Sequence, residues 1–255
     1  MLSQERQQQI VDIIRVRRSV QVTELSEVLN TSLSTIRRDL IEMEEQGLIQ
    51  RVHGGAILRT PPQEENEPAA LLRADQNAEA KQRIAKAAAT LVNDGDTIIL
   101  TAGSTVDAMI PYLIEKRNLT IITNVINIAY HLTAHPHIAV IVLGGWLRHS
   151  EFSLLGHLTQ QAIKDLYAHK IFHGTFGFDL EYGLTGMVMQ EVETDRLLIN
   201  AAEQLIVVAD KSKFNHSGQV RIVSTEQIHT FVTEADAPED TIAGLQAHGI
   251  RVLLA

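Results

Sequence analysis

The chain has 255 residues, of which 45% are hydrophobic, so it can bury a sizeable core and form two domains. It contains no cysteine, which excludes a disulfide framework and a thiolate metal site and is typical of a reducing cytoplasm. The N-terminal stretch MLSQERQQQIVDII lacks a long apolar run, and nowhere do about 18 apolar residues follow one another. We therefore expect a soluble, cytoplasmic protein with neither a signal peptide nor a membrane span.

Charge is unevenly distributed along the chain. Residues 1–60 carry eight arginines, no lysine and eight acidic residues, so the whole net charge of −9 lies in the remainder. This asymmetry indicates two functions, one of them close to a polyanion, although a neutral segment of this length is also common.

Three short helices are predicted at the N-terminus. The first covers about residues 4–17, the second is capped by Thr23, and the third ends near Gly47, where a left-handed cap belongs. The apolar residues expected on their inner faces are, helix by helix, Ile10, Ile13 and Ile14; Leu25, Val28 and Leu29; and Leu33, Ile36, Leu40 and Met43. A tight turn between the second and third helices predicts a helix-turn-helix.

The outer face of the third helix carries arginines and hydroxyls suited to DNA. An arginine fork fits guanine O6 and N7 or phosphate oxygens, and hydroxyls at a helix N-terminus can donate to phosphates. The stretch LIQRVHGGAIL then predicts a hairpin wing. The residues expected to contact double-stranded operator DNA are Thr31, Ser32, Ser34, Thr35, Arg37, Arg38, Arg51, His53 and Gly54. The alternative is a solvated helix whose charges merely pair along its own surface.

Residues 59–78, RTPPQEENEPAALLRADQNA, are rich in proline and acid and predict a linker between a domain at 1–58 and a domain at 79–255. In the larger domain, helical segments alternate with near-continuous apolar strands. That alternation predicts an α/β fold with a doubly wound, mostly parallel sheet. The overall fold class is thus α/β, with an N-terminal winged helix-turn-helix joined to this doubly wound, mostly parallel α/β domain.

Ligands of such sheets bind beyond the carboxyl ends of the strands, where several small polar clusters fall in this sequence. The stretch TAGST places a glycine and two hydroxyls where a strand meets a helix, an arrangement suited to phosphate. Carboxylates at other strand ends suit sugar hydroxyls, and a lysine and an arginine suit the phosphate charge. The candidate effector residues are Gly103, Ser104, Thr105, Thr123, Asn124, Gly144, Gly145, Arg148, Asp179, Asp210 and Lys213. Each cluster alone is common in α/β proteins.

The stretch STIRRDLIEMEEQGLIQRVHGGA, within residues 5–58, closely resembles the N-terminal signature of the DeoR family of bacterial transcription regulators. The strand-end clusters also resemble those of DeoR sensor domains, which look like pentose-phosphate isomerases. The resemblance implies a repressor of a sugar catabolic operon whose operator affinity depends on a phosphorylated sugar. It adds Glu191 to the effector residues. Asp195 stands where many members have a basic residue.

Two other functions remain open. A phosphosugar isomerase with an accessory DNA-binding domain would need a base and a cation to stabilise an enediolate. No lysine occurs between Lys170 and Lys211, which leaves Arg196 as the cation there and disfavours the enzyme. An activator or nucleoid-type binder without a ligand is disfavoured by the strand-end clusters.

No cofactor is expected, because the sequence has no GK[ST] phosphate loop, no GxGxxG and no GxSxG. No metal site is expected among His131, His135 and His137, which Pro136 interrupts and which have no carboxylate partner. A homo-oligomer, a dimer or a tetramer, is expected because palindromic operators favour two or more copies.

Overall fold

The computed structural model describes residues 6–7, 9–10, 13–14, 19–45, 49–52, 55–58, 73 and 76–255. The chain divides into two compact units, Met1–Asn66 and Glu67–Ala255. Most of the predicted linker, residues 59–78, lies outside the described residues, so its extent stays a prediction. The described residues form no helix that is long and apolar enough to cross a membrane.

The first unit is a winged helix-turn-helix. Described residues between 6 and 14 are helical, and their isoleucines pack with the apolar residues of the following helices and the wing. The three strands form an antiparallel sheet in the order β1-β3-β2. The elements are β1 (Ser19–Gln21), α1 (Val22–Val28), α2 (Leu33–Glu45), β2 (Ile49–Val52) and β3 (Gly55–Leu58). The core residues include Ile10, Ile14, Leu25, Ile36, Leu40, Met43 and Ile49.

The turn between α1 and α2 is built from short polar side chains. Asn30 adopts a left-handed backbone with φ of 47°. The hydroxyl of Ser26 donates to the Thr31 carbonyl at 2.6 Å, which fixes the exit from α1. The Ser32 hydroxyl accepts the backbone N–H of Thr35 at 3.2 Å and caps α2. The helix-turn-helix is therefore held by local hydrogen bonds.

Two residues predicted in the core of this unit are exposed. Val28 is 52% exposed and Leu33 is 41% exposed. Val28 ends α1 and Leu33 begins α2, so both flank the turn, where the small core does not cover them. The predicted C-cap, Gly47, lies outside the described residues.

Strand β1 was not expected from the sequence, and it explains one glycine of the wing. Gly55 pairs with Gln21, and a Cβ atom on Gly55 would lie 2.0 Å from the Val20 carbonyl oxygen. A side chain at Gly55 would thus separate β3 from β1.

The second unit contains a seven-stranded sheet in the order β15-β14-β12-β9-β4-β5-β6, and all its pairings are parallel. Its strands, with the five of the smaller sheets, are β4 (Thr97–Leu100), β5 (Thr120–Thr123), β6 (Ala139–Val142), β7 (Trp146–Arg148), β8 (Ser153–Leu155), β9 (Ala168–His173), β10 (Gly177–Asp179), β11 (Gly183–Gly186), β12 (Ala202–Val208), β13 (Val220–Val223), β14 (Thr230–Thr233) and β15 (Arg251–Leu254). Its helices are α3 (Ala78–Ala89), α4 (Ser104–Asp107), α5 (Ile110–Leu113), α6 (Ile126–Leu132), α7 (His157–Ile163), α8 (Met189–Asn200) and α9 (Glu239–Ala247).

Alternate residues of the central strands enter two separate cores. Ile98 and Leu100 belong to one apolar cluster, and Ile99 between them belongs to the other. Both faces of the sheet are therefore covered, which confirms the doubly wound fold.

The strand order also locates a crevice. From β4 the chain adds β5 and β6 on one side, and it then adds β9, β12, β14 and β15 on the other. The connections that follow β4 and β9 therefore lead toward opposite edges of the sheet, and such a switch point is where open α/β sheets bind ligands.

Candidate DNA-binding helix and effector pocket

The start of α2 presents a cluster of hydroxyls beside two arginines. The Ser32 hydroxyl lies 2.9 Å from that of Ser34 and 2.8 Å from that of Thr35. Arg37 and Arg38 follow on the exposed surface. Donors and positive charge thus occupy one end of the helix, as recognition of DNA phosphates and base edges requires.

Arg38 has an acidic neighbour on its own helix. The Arg38 Nε lies 3.7 Å from a carboxylate oxygen of Glu42, one helical turn later, and the pair is largely exposed. Such exposed pairs are weak and screened by salt, so Arg38 can exchange Glu42 for a phosphate at little cost.

A buried ion pair fixes α2 to the N-terminal helix. The guanidinium of Arg6 binds the Asp39 carboxylate at 2.5 and 3.0 Å, and both side chains are almost fully buried. Asp39 therefore faces inward, and its charge does not offset that of Arg37 and Arg38 on the exposed side of α2.

Six of the nine residues predicted to contact DNA gather around the start of α2, from Thr31 to Arg38. Thr31 lies in the turn, where its hydroxyl donates to the Leu29 carbonyl at 3.0 Å. Arg51 lies in β2, and His53 and Gly54 lie outside the described residues.

The second unit has a pocket at its switch point. The carboxyl ends of β4, β9 and β12, three adjacent strands, form its floor. Residues of α8 and Ile222 of β13 line one side, and residues from Arg73 to Lys81 line another. Six predicted effector residues line this pocket: Gly103, Ser104, Thr105, Glu191, Asp210 and Lys213.

Backbone forms much of the pocket floor. Gly103 follows β4 with φ of 144°, and a Cβ atom there would lie 3.4 Å from the Cα of Gly174, which follows β9. The hydroxyl residues Ser104 and Thr105 open the short helix α4 directly afterwards. Backbone amides and hydroxyls are thus available to an anion that enters the crevice.

Three basic side chains line the pocket: Arg73, Lys81 and Lys213. Lys81 is buried and donates to the Arg73 carbonyl. Burial lowers the pKa of Lys81; Asp210 acts in the opposite direction, and the charges of Lys213 and Arg73 lower it further. Crowded, partly desolvated cations of this kind form a site for an anion.

Asp210 organises the loop that carries Lys213. Its carboxylate accepts the backbone N–H of Ser212 at 3.0 Å and the side-chain amide of Asn77 at 3.2 Å. The carboxylate caps the 3₁₀ turn Lys211–Lys213 and ties it to the start of α3. Asp210 is therefore a positioning residue for the lysine.

Four predicted effector residues lie at or after the ends of β5 and β6, which lie on the far side of β4 from β9, and none of the four lines the pocket. The Thr123 hydroxyl donates to the Leu100 carbonyl, and the Asn124 amide donates to the Leu154 carbonyl. The Gly144 carbonyl accepts from Thr159, and a Cβ atom on Gly145 would lie 2.1 Å from the Thr159 hydroxyl. These contacts join neighbouring segments of the chain, and the pocket lining includes none of the four residues.

Arg148 and Asp179 do not line the pocket. Arg148 donates to the pocket residue Glu191 at 2.5 Å, and its side chain is largely buried. Asp179 accepts the backbone N–H groups of Glu181 and Tyr182 and closes the β10–β11 turn. The turn lies at the opposite end of β11 from the pocket residue Gly186.

Several pocket residues were missed by sequence reasoning, among them Arg73, Asn77, Lys81, Glu151 and His173. Arg73 and Asn77 lie in the predicted linker, and Lys81 lies on the helix after it. Strand-end clusters give no signal for Arg73, Asn77 and Lys81, because none of the three follows a strand of the sheet.

Lys81 bears on the isomerase alternative. It lies on α3, outside the interval between Lys170 and Lys211, and it lines the pocket. Arg196 in turn does not line the pocket, because it donates to the carbonyls of Arg221 and Ile222. The absence of a lysine in that interval therefore does not exclude an enzyme.

Family models match both units. Residues 6–61 match the DeoR-like helix-turn-helix domain, and residues 76–235 match the DeoR C terminal sensor domain. The chain belongs to the DeoR family. This DeoR-family chain is 36% identical over 251 residues, 98% of each sequence, to the HTH-type transcriptional regulator GolR of Listeria innocua.

A second relative of this DeoR-family chain is the glycerol-3-phosphate regulon repressor of Escherichia coli, with 32% identity over 254 residues and the full length of both sequences. Both relatives are regulators by name. Among solved structures, ribose 5-phosphate isomerase A from Neisseria gonorrhoeae matches 54% of this chain and 53% of its own at 16% identity, with a TM-score of 0.40.

Proposed function

We propose that the chain is a DNA-binding repressor of a sugar catabolic operon, and that a phosphorylated sugar in the switch-point pocket controls its affinity for the operator. The proposal rests on one observation: Lys81, Lys213 and the loop after β4 line the same pocket. Family membership supports the DNA-binding part, and the relative named as a glycerol-3-phosphate regulon repressor supports a phosphorylated small molecule.

The ligand binds with its phosphate between the lysines and the stretch Gly103–Thr105. Lysines supply charge-assisted hydrogen bonds, and the loop supplies backbone N–H groups. The carboxylates of the pocket accept hydrogen bonds from the sugar hydroxyls. Affinity for the unphosphorylated sugar is accordingly low.

The DNA-facing residues are those at the start of α2, with Arg51, His53 and Gly54 in the wing. Control by the sugar requires that the ligand bind the DNA-competent and DNA-incompetent states with different affinities. The protein acts as a homo-oligomer, a dimer or a tetramer, since two-fold operators pair with two-fold proteins.

The test joins two measurements. Thermal-shift screening with sugar phosphates and their unphosphorylated counterparts identifies ligands, because a ligand of the native state raises the melting temperature. Operator binding by mobility shift is then measured with and without each hit. Stabilisation by phosphorylated members only, together with a change in operator affinity, is expected. A panel without hits, or hits that leave operator affinity unchanged, contradicts the proposal.

A phosphosugar isomerase is a second candidate function. Such an enzyme needs a cation and a base, and the pocket holds the buried Lys81 together with carboxylates. Each ligand found by screening is incubated with the purified protein, and conversion between ketose and aldose is followed. Turnover that disappears in Lys81→Met would establish the enzyme.

A further inference from the structure

His173, at the end of β9, is a titratable side chain of the pocket that is almost fully buried, with 2% of its surface exposed. Both ring nitrogens are buried, and neither has a hydrogen-bond partner among the described residues. Unsatisfied buried nitrogens are costly, so they mark a place where a ligand or water completes the hydrogen bonding.

His173 lies beside an acidic residue. The Nε2 atom lies 3.4 Å from Oδ2 of Asp195, which projects from α8 into the same pocket. A lone pair on Nε2 would face a carboxylate, so Nε2 carries a proton that points toward Asp195. The remaining lone pairs of the Asp195 carboxylate are acceptors for a ligand.

Asp195 differs from the other carboxylates that line the pocket. Its side chain is 13% exposed, and within the described part of the chain it has no hydrogen bond. The other three are each held by a cation or by N–H donors. Their partners are Arg73 for Glu151, Arg148 for Glu191, and Ser212 and Asn77 for Asp210. Asp195 thus carries the least compensated negative charge of the lining.

The charges of the pocket decide which donor group fits. The lining holds three basic and four acidic side chains, and Arg148 behind Glu191 makes the set neutral. A phosphate adds close to two negative charges. A ligand hydroxyl would satisfy the hydrogen bonds of Asp195 but would leave the negative charge of the phosphate uncompensated. An ammonium group offers three hydrogen-bond donors and a compensating positive charge.

We propose that Asp195, held beside His173, binds an ammonium group of the effector, so that the ligand is a phosphorylated sugar with a free primary amine. The proposal rests on the function proposed above, and it assigns the end of the ligand opposite the phosphate. Asp195 determines specificity, and His173 orients its carboxylate and excludes water from it.

The test compares matched ligands by titration calorimetry on the full chain. The probes are glucosamine 6-phosphate against glucose 6-phosphate, and galactosamine 6-phosphate against galactose 6-phosphate. In at least one pair the amine is expected to bind about tenfold more tightly or better, which is 1.4 kcal/mol per factor of ten. Asp195→Asn, which keeps the shape of the side chain, is expected to bring that ratio close to one.

Glu193→Gln is the control, since it removes the same charge from the exposed side of the same helix. It should keep the amine preference of the wild type. An amine preference that survives in Asp195→Asn overturns the assignment of Asp195.

The ratio between the wild-type affinities for the amino sugar and the hydroxyl sugar of each pair tests the proposal without any variant. If the hydroxyl sugar phosphates bind as tightly as the amino sugar phosphates, the phosphate site is retained and the assignment of an ammonium site is wrong. If none of the four probes binds although other members of the sugar-phosphate panel do, the ammonium site is wrong and the proposed function is retained. If the whole panel and inorganic phosphate fail to bind, the proposed function is wrong, and the ammonium site with it.

Discussion

Gly103 and Gly174 bring the loops after β4 and β9 into contact at the floor of the pocket. A Cβ atom on Gly174 would lie 3.0 Å from the Ala102 carbonyl oxygen and 3.4 Å from the Cα of Gly103. Two residues without side chains thus set the depth of the crevice and let a ligand approach the backbone.

Gly174→Ala should weaken binding of the sugar phosphate, because the added methyl group displaces the loop by a few tenths of an ångström. We expect a loss of about tenfold, or 1.4 kcal/mol, by calorimetry. Gly144→Ala is the matched control, since a Cβ atom there meets nothing within 4 Å. Equal affinities of the two variants would place the phosphate away from this loop.

Arg37→Ala should weaken operator binding by about 1–3 kcal/mol if Arg37 contacts a guanine, and by less if it contacts phosphate alone. The reason is its exposed position near the start of α2. Mobility shift measures the effect, and Arg117→Ala in the second unit serves as the control. Unchanged affinity in a folded Arg37→Ala/Arg38→Ala double variant would remove DNA recognition from α2.

Operator affinity should fall steeply as salt rises, because each phosphate contact releases condensed counterions. The net charge of −9 does not oppose this, since residues 1–60 are neutral. Binding constants at several salt concentrations give the slope, and Arg38→Ala should reduce it by about one. A binding constant that is independent of salt would count against a phosphate-contacting helix.

Ser104→Glu should abolish the response to the effector while operator binding without ligand stays intact. The new carboxylate occupies the start of α4 and repels the phosphate. Lys213→Ala should weaken the same ligand by about 1.5–3 kcal/mol, the loss of one charge-assisted hydrogen bond. Lys211→Ala is its control, because Lys211 pairs with Asp236 outside the pocket. Ligand affinity like that of the wild type in both pocket variants would refute the phosphate site.

Asp107→Asn should stabilise the protein at neutral pH. Burial raises the pKa of Asp107 from 3.8 to about 6, although the Asn127 amide donates to it at 2.6 Å. The folded state therefore holds this proton more tightly than the unfolded state, and the wild type loses stability as the pH rises from about 4 to 6. The difference between the two pKa values corresponds to a loss of about 3 kcal/mol at most in the free energy of unfolding.

Denaturant unfolding at pH 4 and pH 7 measures this effect. The variant should gain stability relative to the wild type at pH 7 and little at pH 4. An equal change at both values would mean that Asp107 is ionised throughout.

The sequence was most informative where local patterns repeat. Helical spacing located Ile36, Leu40 and Met43 in the core of the first unit, and apolar runs located the parallel strands of the second. Strand-end clusters identified Ser104 and Lys213 as residues of one pocket, because parallel strands end at the same edge.

Spatial order along the sheet was the information that local patterns lacked. Asn124 and Gly145 also follow strands, but these strands lie toward one edge, away from the switch point. Conversely, Lys81 and Arg73 enter from a helix and a connecting segment, where no periodicity distinguishes them from solvated charges. The His173–Asp195 pair joins residues 22 positions apart through tertiary structure, which no spacing rule predicts.

The ion pair between Arg6 and Asp39 makes the packing of α2 depend on a residue 33 positions earlier in the chain. In a chain that starts after Arg6, the buried Asp39 carboxylate would lose its guanidinium, a change that typically costs about 3–5 kcal/mol. Translation from a later start site or proteolytic trimming of a few residues would consequently destabilise the winged helix-turn-helix without removing any residue of α2.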